Sequence, residues 1–146
     1  MKKILLLALL IISVMKVHAR TFTIQNTTSY AVGYHIGGAI SGSGPGCSTG
    51  INWSPVSILS ASSSVSYSNV SSVGWTIVAP VSDWYVFQAN DISYPGGCAV
   101  GAVICGPTLY CSTFPSSTSF YACSFGVNIN YSWSEDPSGN VTITFY

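Results

Sequence analysis

Val127-Asn128-Ile129-Asn130-Tyr131-Ser132-Trp133-Ser134 alternates apolar and polar residues without a break, and Val141-Thr142-Ile143-Thr144-Phe145 does so again. A period of two puts Val127, Ile129, Tyr131 and Trp133 on one face of a strand and their polar neighbours on the other. Between the two runs lies Glu135-Asp136-Pro137-Ser138-Gly139-Asn140, a string of turn formers. The pattern predicts a β-hairpin over residues 127–146. A lone hairpin is marginal in water, so the rest of the chain must bring strands that cover its apolar face.

Those strands are legible upstream. Thr21 to Gln25 alternates with Phe22 and Ile24 inward. Tyr30, Val32, Tyr34 and Ile36 alternate with Ala31, Gly33 and His35, and Asn26-Thr27-Thr28-Ser29 reads as the turn of a second hairpin. Residues 37–50, rich in Gly and Ser, read as a long loop. Short strands follow at Ile51–Trp53 and Val56–Ile58, split by Pro55, then at Val65–Tyr67 and Trp75–Ala79. Asp83 to Asn90 is apolar on both faces, as in a central strand covered on both sides; otherwise it leaves an aromatic exposed for a ligand. Cys98–Ile104 and Phe120–Phe125 are further apolar runs. About nine or ten short strands at this spacing predict an all-β fold, a single antiparallel β-sandwich domain over residues 20–146. Its outward Ser and Thr form a solvated strand face.

Residues 1–19 carry a different signal. Lys2 and Lys3 precede the apolar run Ile4–Val14, and Val17-His18-Ala19 offers the residues a signal peptidase reads. The run is short for a bilayer span, and Lys16 closes it. The expectation is a signal peptide over 1–19, cleavage after Ala19, and a secreted, periplasmic or cell-surface protein with no stable membrane span.

Past that point the chain has no lysine, one arginine (Arg20), one histidine (His35), and four acids: Asp83, Asp91, Glu135 and Asp136. Its formal charge is +1 − 4 = −3. Nucleic acids and anionic lipids are held largely by Lys and Arg, so the composition excludes a nucleic-acid partner. Strong helix formers are scarce and β-branched, aromatic and hydroxyl residues abound, in keeping with an all-β chain.

The five cysteines, Cys47, Cys98, Cys105, Cys111 and Cys123, are disulfide candidates in an oxidising compartment. Two bridges with one cysteine over are expected. Cys105 and Cys111 could close a small loop worth about 2.4 kcal/mol, against about 4.5 for a long closure such as Cys47–Cys123. The spacings lack a paired zinc motif, and neither a metal nor a cofactor is expected. Nothing in the sequence lowers a thiol pKa for a Cys–His35 nucleophile. Serine chemistry lacks a Gly-x-Ser-x-Gly elbow. A glycosidase needs two carboxylates within about 5–10 Å, whereas Asp83 and Asp91 stand at the two ends of one strand, about 26 Å apart if it is straight. No catalytic constellation is visible, and an enzyme is not expected. Asn26, Asn52, Asn69, Asn130 and Asn140 open N-x-Ser/Thr triplets.

The remaining signal is aromatic. Most rings must fill the core. Trp53, and Trp84 with Tyr85 beside Asp83, are candidates for a platform that stacks and hydrogen-bonds a sugar.

The opening Phe22-Thr23-Ile24-Gln25-Asn26-Thr27-Thr28-Ser29-Tyr30 and the closing Val141–Phe145 resemble small secreted β-sandwich proteins of Bacteroidetes-type bacteria. Phe22 to Tyr30 is also similar to the first strand of thaumatin-like proteins, whose cysteine framework this chain does not share. These resemblances imply export and β structure and carry no functional residue. The sequence leaves three functional expectations. The first is a non-enzymatic extracellular surface or interaction protein. The second is a carbohydrate-binding module. The third is a membrane-active protein whose alternating strands rearrange into a barrel. The partner is unknown, with carbohydrate or another surface protein as the options.

Overall fold

The computed structural model describes residues 20–40, 51–75, 81–91, 101–105 and 115–146, with the backbone alone at 39–40 and 81–85. The leader-like segment 1–19, Cys47, Cys98, Cys111 and the strand expected at 76–79 lie outside the described residues. Within them run ten strands: β1 (Phe22–Asn26), β2 (Val32–Ile40), β3 (Ile51–Trp53), β4 (Ser57–Leu59), β5 (Ser63–Tyr67), β6 (Val81–Asn90), β7 (Ile104–Cys105), β8 (Ser117–Ala122), β9 (Val127–Glu135) and β10 (Val141–Phe145). One 3-10 turn, Val70–Ser72, is capped by the Asn69 side chain. The fold is all-β, in two five-stranded sheets. The first has the order β5-β1-β10-β9-β8. The second has β3-β2-β6-β7, with β4 also paired to β2.

The hairpin read from the alternation is present. β9 and β10 pair antiparallel, from Val141 opposite Glu135 to Phe145 opposite Tyr131. Its turn is built by Asp136. One carboxylate oxygen accepts from the Ser138 and Asn140 amides at 2.8 and 2.9 Å, and the other from Asn140 Nδ2 at 2.8 Å. Gly139 sits in this turn at φ +79°, where a Cβ would lie 2.7 Å from Arg20 Nε.

Two expectations about strand pairing are corrected. β1 and β2 do not form a hairpin; they belong to different sheets. Both edges of β1 are taken, by β10 in parallel and by β5 antiparallel. The first sheet is therefore mixed rather than antiparallel. Asn26 makes the corner between the sheets. It is buried, its Nδ2 donates to the carbonyls of Tyr30 and Ser60 at 2.7 and 2.9 Å, and its Oδ1 accepts from the Thr28 amide and hydroxyl. An asparagine that binds its own chain two residues on bends it sharply, and here it folds the backbone from one layer to the next.

The second correction concerns residues 37–40, which continue β2 rather than opening a loop. Gly37 lies opposite Trp53 and Val86, and Gly38 opposite Asn52 and Trp84. A Cβ on Gly37 would stand 2.4 Å from Val86 Cγ2 and 2.9 Å from Ile51 Cγ2. Glycine is there because neighbouring side chains occupy the space a larger residue would claim.

The layers meet in one core. Phe87 of β6 is fully buried, and its ring lies 6.2 Å from Phe22, 5.8 Å from Phe145 and 5.9 Å from Tyr131, all on the first sheet. Tyr34 of β2 and Tyr67 of β5 link the layers through a 2.8 Å hydrogen bond between hydroxyls. With few leucines, aromatic rings supply the buried area, each worth about 1.5–3 kcal/mol on burial.

Candidate functional site

Because side chains alternate along each strand, burial of Phe22, Ile24, Val141, Ile143, Ile129, Tyr131 and Trp133 turns the polar residues between them outward. The registers align these outward residues across the first sheet. Ser66, Thr23, Thr142 and Ser134 form one row over four strands. Ser64, Gln25, Thr144, Ser132 and Ser117 form a second over all five. Neighbouring strands lie about 4.8 Å apart, so the longer row spans roughly 19 Å. Thr23 and Ser66 hydroxyls bond each other at 2.9 Å. Every residue in the rows both donates and accepts hydrogen bonds, and none is charged.

The rows end in an aromatic corner. Tyr146 continues β10 opposite Asn130, exchanging backbone hydrogen bonds of 3.1 and 3.0 Å with it. Asn130 lies opposite Ser119, and Asn128 opposite Tyr121. Tyr121 is 51% exposed and Tyr146 56% exposed. Two open phenol rings thus flank two asparagines on one sheet face. Beside them the β8–β9 turn carries Phe125, whose ring contacts Tyr30 at 4.7 Å, and Ser124, whose hydroxyl donates to Asp91. Cys123 in this turn is disulfide-bonded, to a residue outside the described ones.

The outer face of the second sheet is built differently. Val86 and Cys105 are buried on it, with Ile51, Trp53 and Val103 packed against them. Trp53, a candidate from the sequence, is half-buried in this cluster, edge-on to His35 at 6.2 Å. His35 is half-buried, its Nδ1 3.0 Å from the Ser54 carbonyl. Trp84 and Asp83 sit on β6 opposite Gly38 and Ala39, with Tyr85 between Trp84 and Val86 in sequence; the side chains of these three lie outside the described residues. The backbone therefore sets Trp53 and Trp84 on the two strands that flank Gly37 and Gly38.

Cys105 is a thiol, not half of a bridge, so the small Cys105–Cys111 closure is not made. It is buried on the short strand β7 against Val86, and desolvation pushes its pKa up, away from nucleophilic character. Among the N-x-Ser/Thr asparagines, Asn26 and Asn52 are buried, which removes both as modification sites in the folded protein, whereas Asn69 and Asn130 are exposed. Among the described residues no cluster of three His, Cys, Asp or Glu side chains could hold a metal, and no helix is long and apolar enough to cross a membrane.

Sequence reasoning missed Tyr121 and Tyr146. The signal was available: both keep the outward parity of their strands, Tyr121 with Ser117 and Ser119, Tyr146 with Thr142 and Thr144. No known family profile matches the chain, and no curated protein is significantly similar to it.

Proposed function

We propose that this is an exported, non-enzymatic recognition protein that holds an extracellular or envelope-bound partner against the outer face of its first sheet. One observation carries the reading: uncharged, hydrogen-bonding rows and two tyrosines more than half exposed share a single face. Exposed aromatics beside groups that donate and accept are the usual makings of a contact surface. The basic-apolar segment before Ala19 supports export, with residues 20–146 as the mature protein, and the cysteines suit an oxidising compartment.

The test uses the protein as the cell releases it from the full-length gene. Fluorescently labelled wild type and a Thr144→Lys/Ser132→Lys variant are incubated with the producing cells and their extracellular matrix. Retention of the wild type and loss in the variant, with the melting curves of both showing them folded at the assay temperature, is the expected result. Equal retention of the two, or none for either, sinks the reading.

A further inference from the structure

We infer that the partner of this face is a neutral polysaccharide, seated on the Tyr121–Tyr146 corner with its chain running onto the hydroxyl rows. The inference rests on the reading just given and narrows it to one ligand chemistry.

Charge comes first. None of the outward residues of the first sheet is a lysine, arginine, aspartate or glutamate. An anionic polymer gains most of its affinity from cations, and this face supplies none. A cationic partner would need carboxylates within the rows; Asp136 and Asp91 lie beyond their ends, each already accepting hydrogen bonds from Asn140 or Ser124. The complementary ligand is therefore one that carries hydroxyls without charge.

Geometry comes next. A pyranose ring has a face of C–H groups and an equator of hydroxyls. The first packs on an aromatic ring, and the second needs partners that both donate and accept. Tyr121 and Tyr146 offer the rings. Asn128, opposite Tyr121, and Asn130, opposite Tyr146, offer amides that do both. The two tyrosines lie two strands and one row apart, so their Cα atoms are separated by roughly 12 Å. That distance separates two sugar units of a chain rather than two edges of one ring, which favours a polymer over a monosaccharide.

Twist decides against a crystalline partner. Rows of Ser and Thr spaced by a strand repeat could also meet an ice plane. Adjacent strands rotate by about 20–25°, so a five-stranded face turns through some 80–100°. A flexible glycan follows such a surface; a lattice plane does not.

The experiment measures the mobility of the intact secreted protein in native gels cast with soluble β-glucan, α-mannan or a uronic-acid polymer. The expected result is retardation by at least one neutral polymer and none by the uronic-acid polymer. Tyr121→Ala and Tyr146→Ala should each weaken binding about tenfold, about 1.4 kcal/mol. The Tyr→Phe variants should bind like wild type, because the ring rather than the hydroxyl does the stacking. Melting temperatures show that each variant is folded.

Three outcomes overturn the inference: no retardation by any neutral polymer, retardation unchanged in both alanine variants, or inhibition of ice recrystallisation without glycan binding. Loss on Trp53→Ala or Trp84→Ala with both tyrosine variants unaffected would move the site to the second sheet. If matrix retention still depends on Thr144 and Ser132 while every glycan is ignored, the broader reading stands and only the ligand is wrong.

Discussion

The outer faces of the two sheets begin from the same strand geometry and end in opposite states. In the first sheet, alternation is strict: Ile143 is buried and Thr144 next to it faces out. In the second, Val86 and Phe87 are adjacent on β6 and both fully buried. Phe87 faces the shared core, and Val86 lies under Trp53, Ile51 and Val103 on the far side. The patch of the second face around Val86 and Cys105, which carries its own apolar cover, is structural. A face left wet, uncharged and studded with tyrosines is where a partner can settle. The contrast is a statement about burial, so it can be broken by asking what each face tolerates.

The largest difference is expected from the same substitution on both. Val86→Lys puts a charge into a fully buried site, a change that costs about 4 kcal/mol or more and removes much of the stability of an ordinary domain. Thr144→Lys, also outward and on an inner strand of its sheet, should shift stability by no more than about 0.5 kcal/mol. Urea unfolding followed by tryptophan fluorescence measures both. A Val86→Lys protein as stable as Thr144→Lys would erase the distinction between the faces.

Gly37→Val sharpens the same contrast at the seam between β3 and β6. The new side chain would meet Val86 and Ile51 at distances no carbon contact allows, and overpacking of this kind costs about 1–3 kcal/mol. Pairing it with Val86→Ala, which vacates the space, should recover part of the loss if the two share one pocket. Additive losses would show that they do not.

The same faces show how far a sequence can be read. Alternation from Val127 to Phe145 located the hairpin, its inward residues and its turn, because a half-buried strand writes its burial into every second position. It did not tell which strands share a sheet. Phe22–Gln25 and Tyr30–Ile36 look like hairpin partners, yet Asn26 sends them into separate layers, and its two donated bonds reach carbonyls four and thirty-four residues on. The parallel pairing of β1 with β10 joins the two ends of the fold and leaves no local trace. Gly37 reads as loop because a glycine chosen for close packing and one chosen for a turn are the same letter. On the candidate site, Trp53 and Trp84 drew notice as large aromatics, while the exposed pair Tyr121 and Tyr146 required the register of three strands to be seen together.

Tyr131→Phe probes the interior that both sheets share. The Tyr131 hydroxyl donates to the Ala102 carbonyl, tying β9 to the segment that leads into β7. Losing it should cost about 1 kcal/mol. Burial raises the Tyr131 pKa to about 12, opposed by a backbone hydrogen bond. The folded chain thus keeps a proton that an unfolded tyrosine loses near pH 10. Stability linked to it is complete below about pH 10 and declines as the pH climbs towards 12. The phenylalanine variant should lose stability less steeply over that window, with Tyr34, also raised by burial, preserving part of the slope. Identical alkaline slopes in wild type and variant would mean the hydroxyl is not buried.

The smallest effect belongs to the turn at the far end of the wet face. Hydrogen bonds from the Asn140 side chain and backbone hold the Asp136 carboxyl below its ordinary pKa, with the Ser138 and Gly139 amides adding to them. The sign follows from linkage. A depressed folded pKa means that the unfolded chain binds the proton first as acid is added. The stabilisation is therefore present above the unfolded value, near pH 4, and is lost as the pH falls through the lower folded one. Because the carboxylate stands in solvent, the loss is modest, and salt weakens it little since short hydrogen bonds to neutral amides dominate. Asp136→Asn keeps the bonds its Oδ1 accepts from the Ser138 and Asn140 amides, loses the one from Asn140 Nδ2 and no longer titrates, so its unfolding midpoint should change less than that of the wild type between about pH 5 and pH 2. Parallel acid curves for the two would show that this turn, unlike the buried seam around Gly37, contributes nothing that depends on its charge.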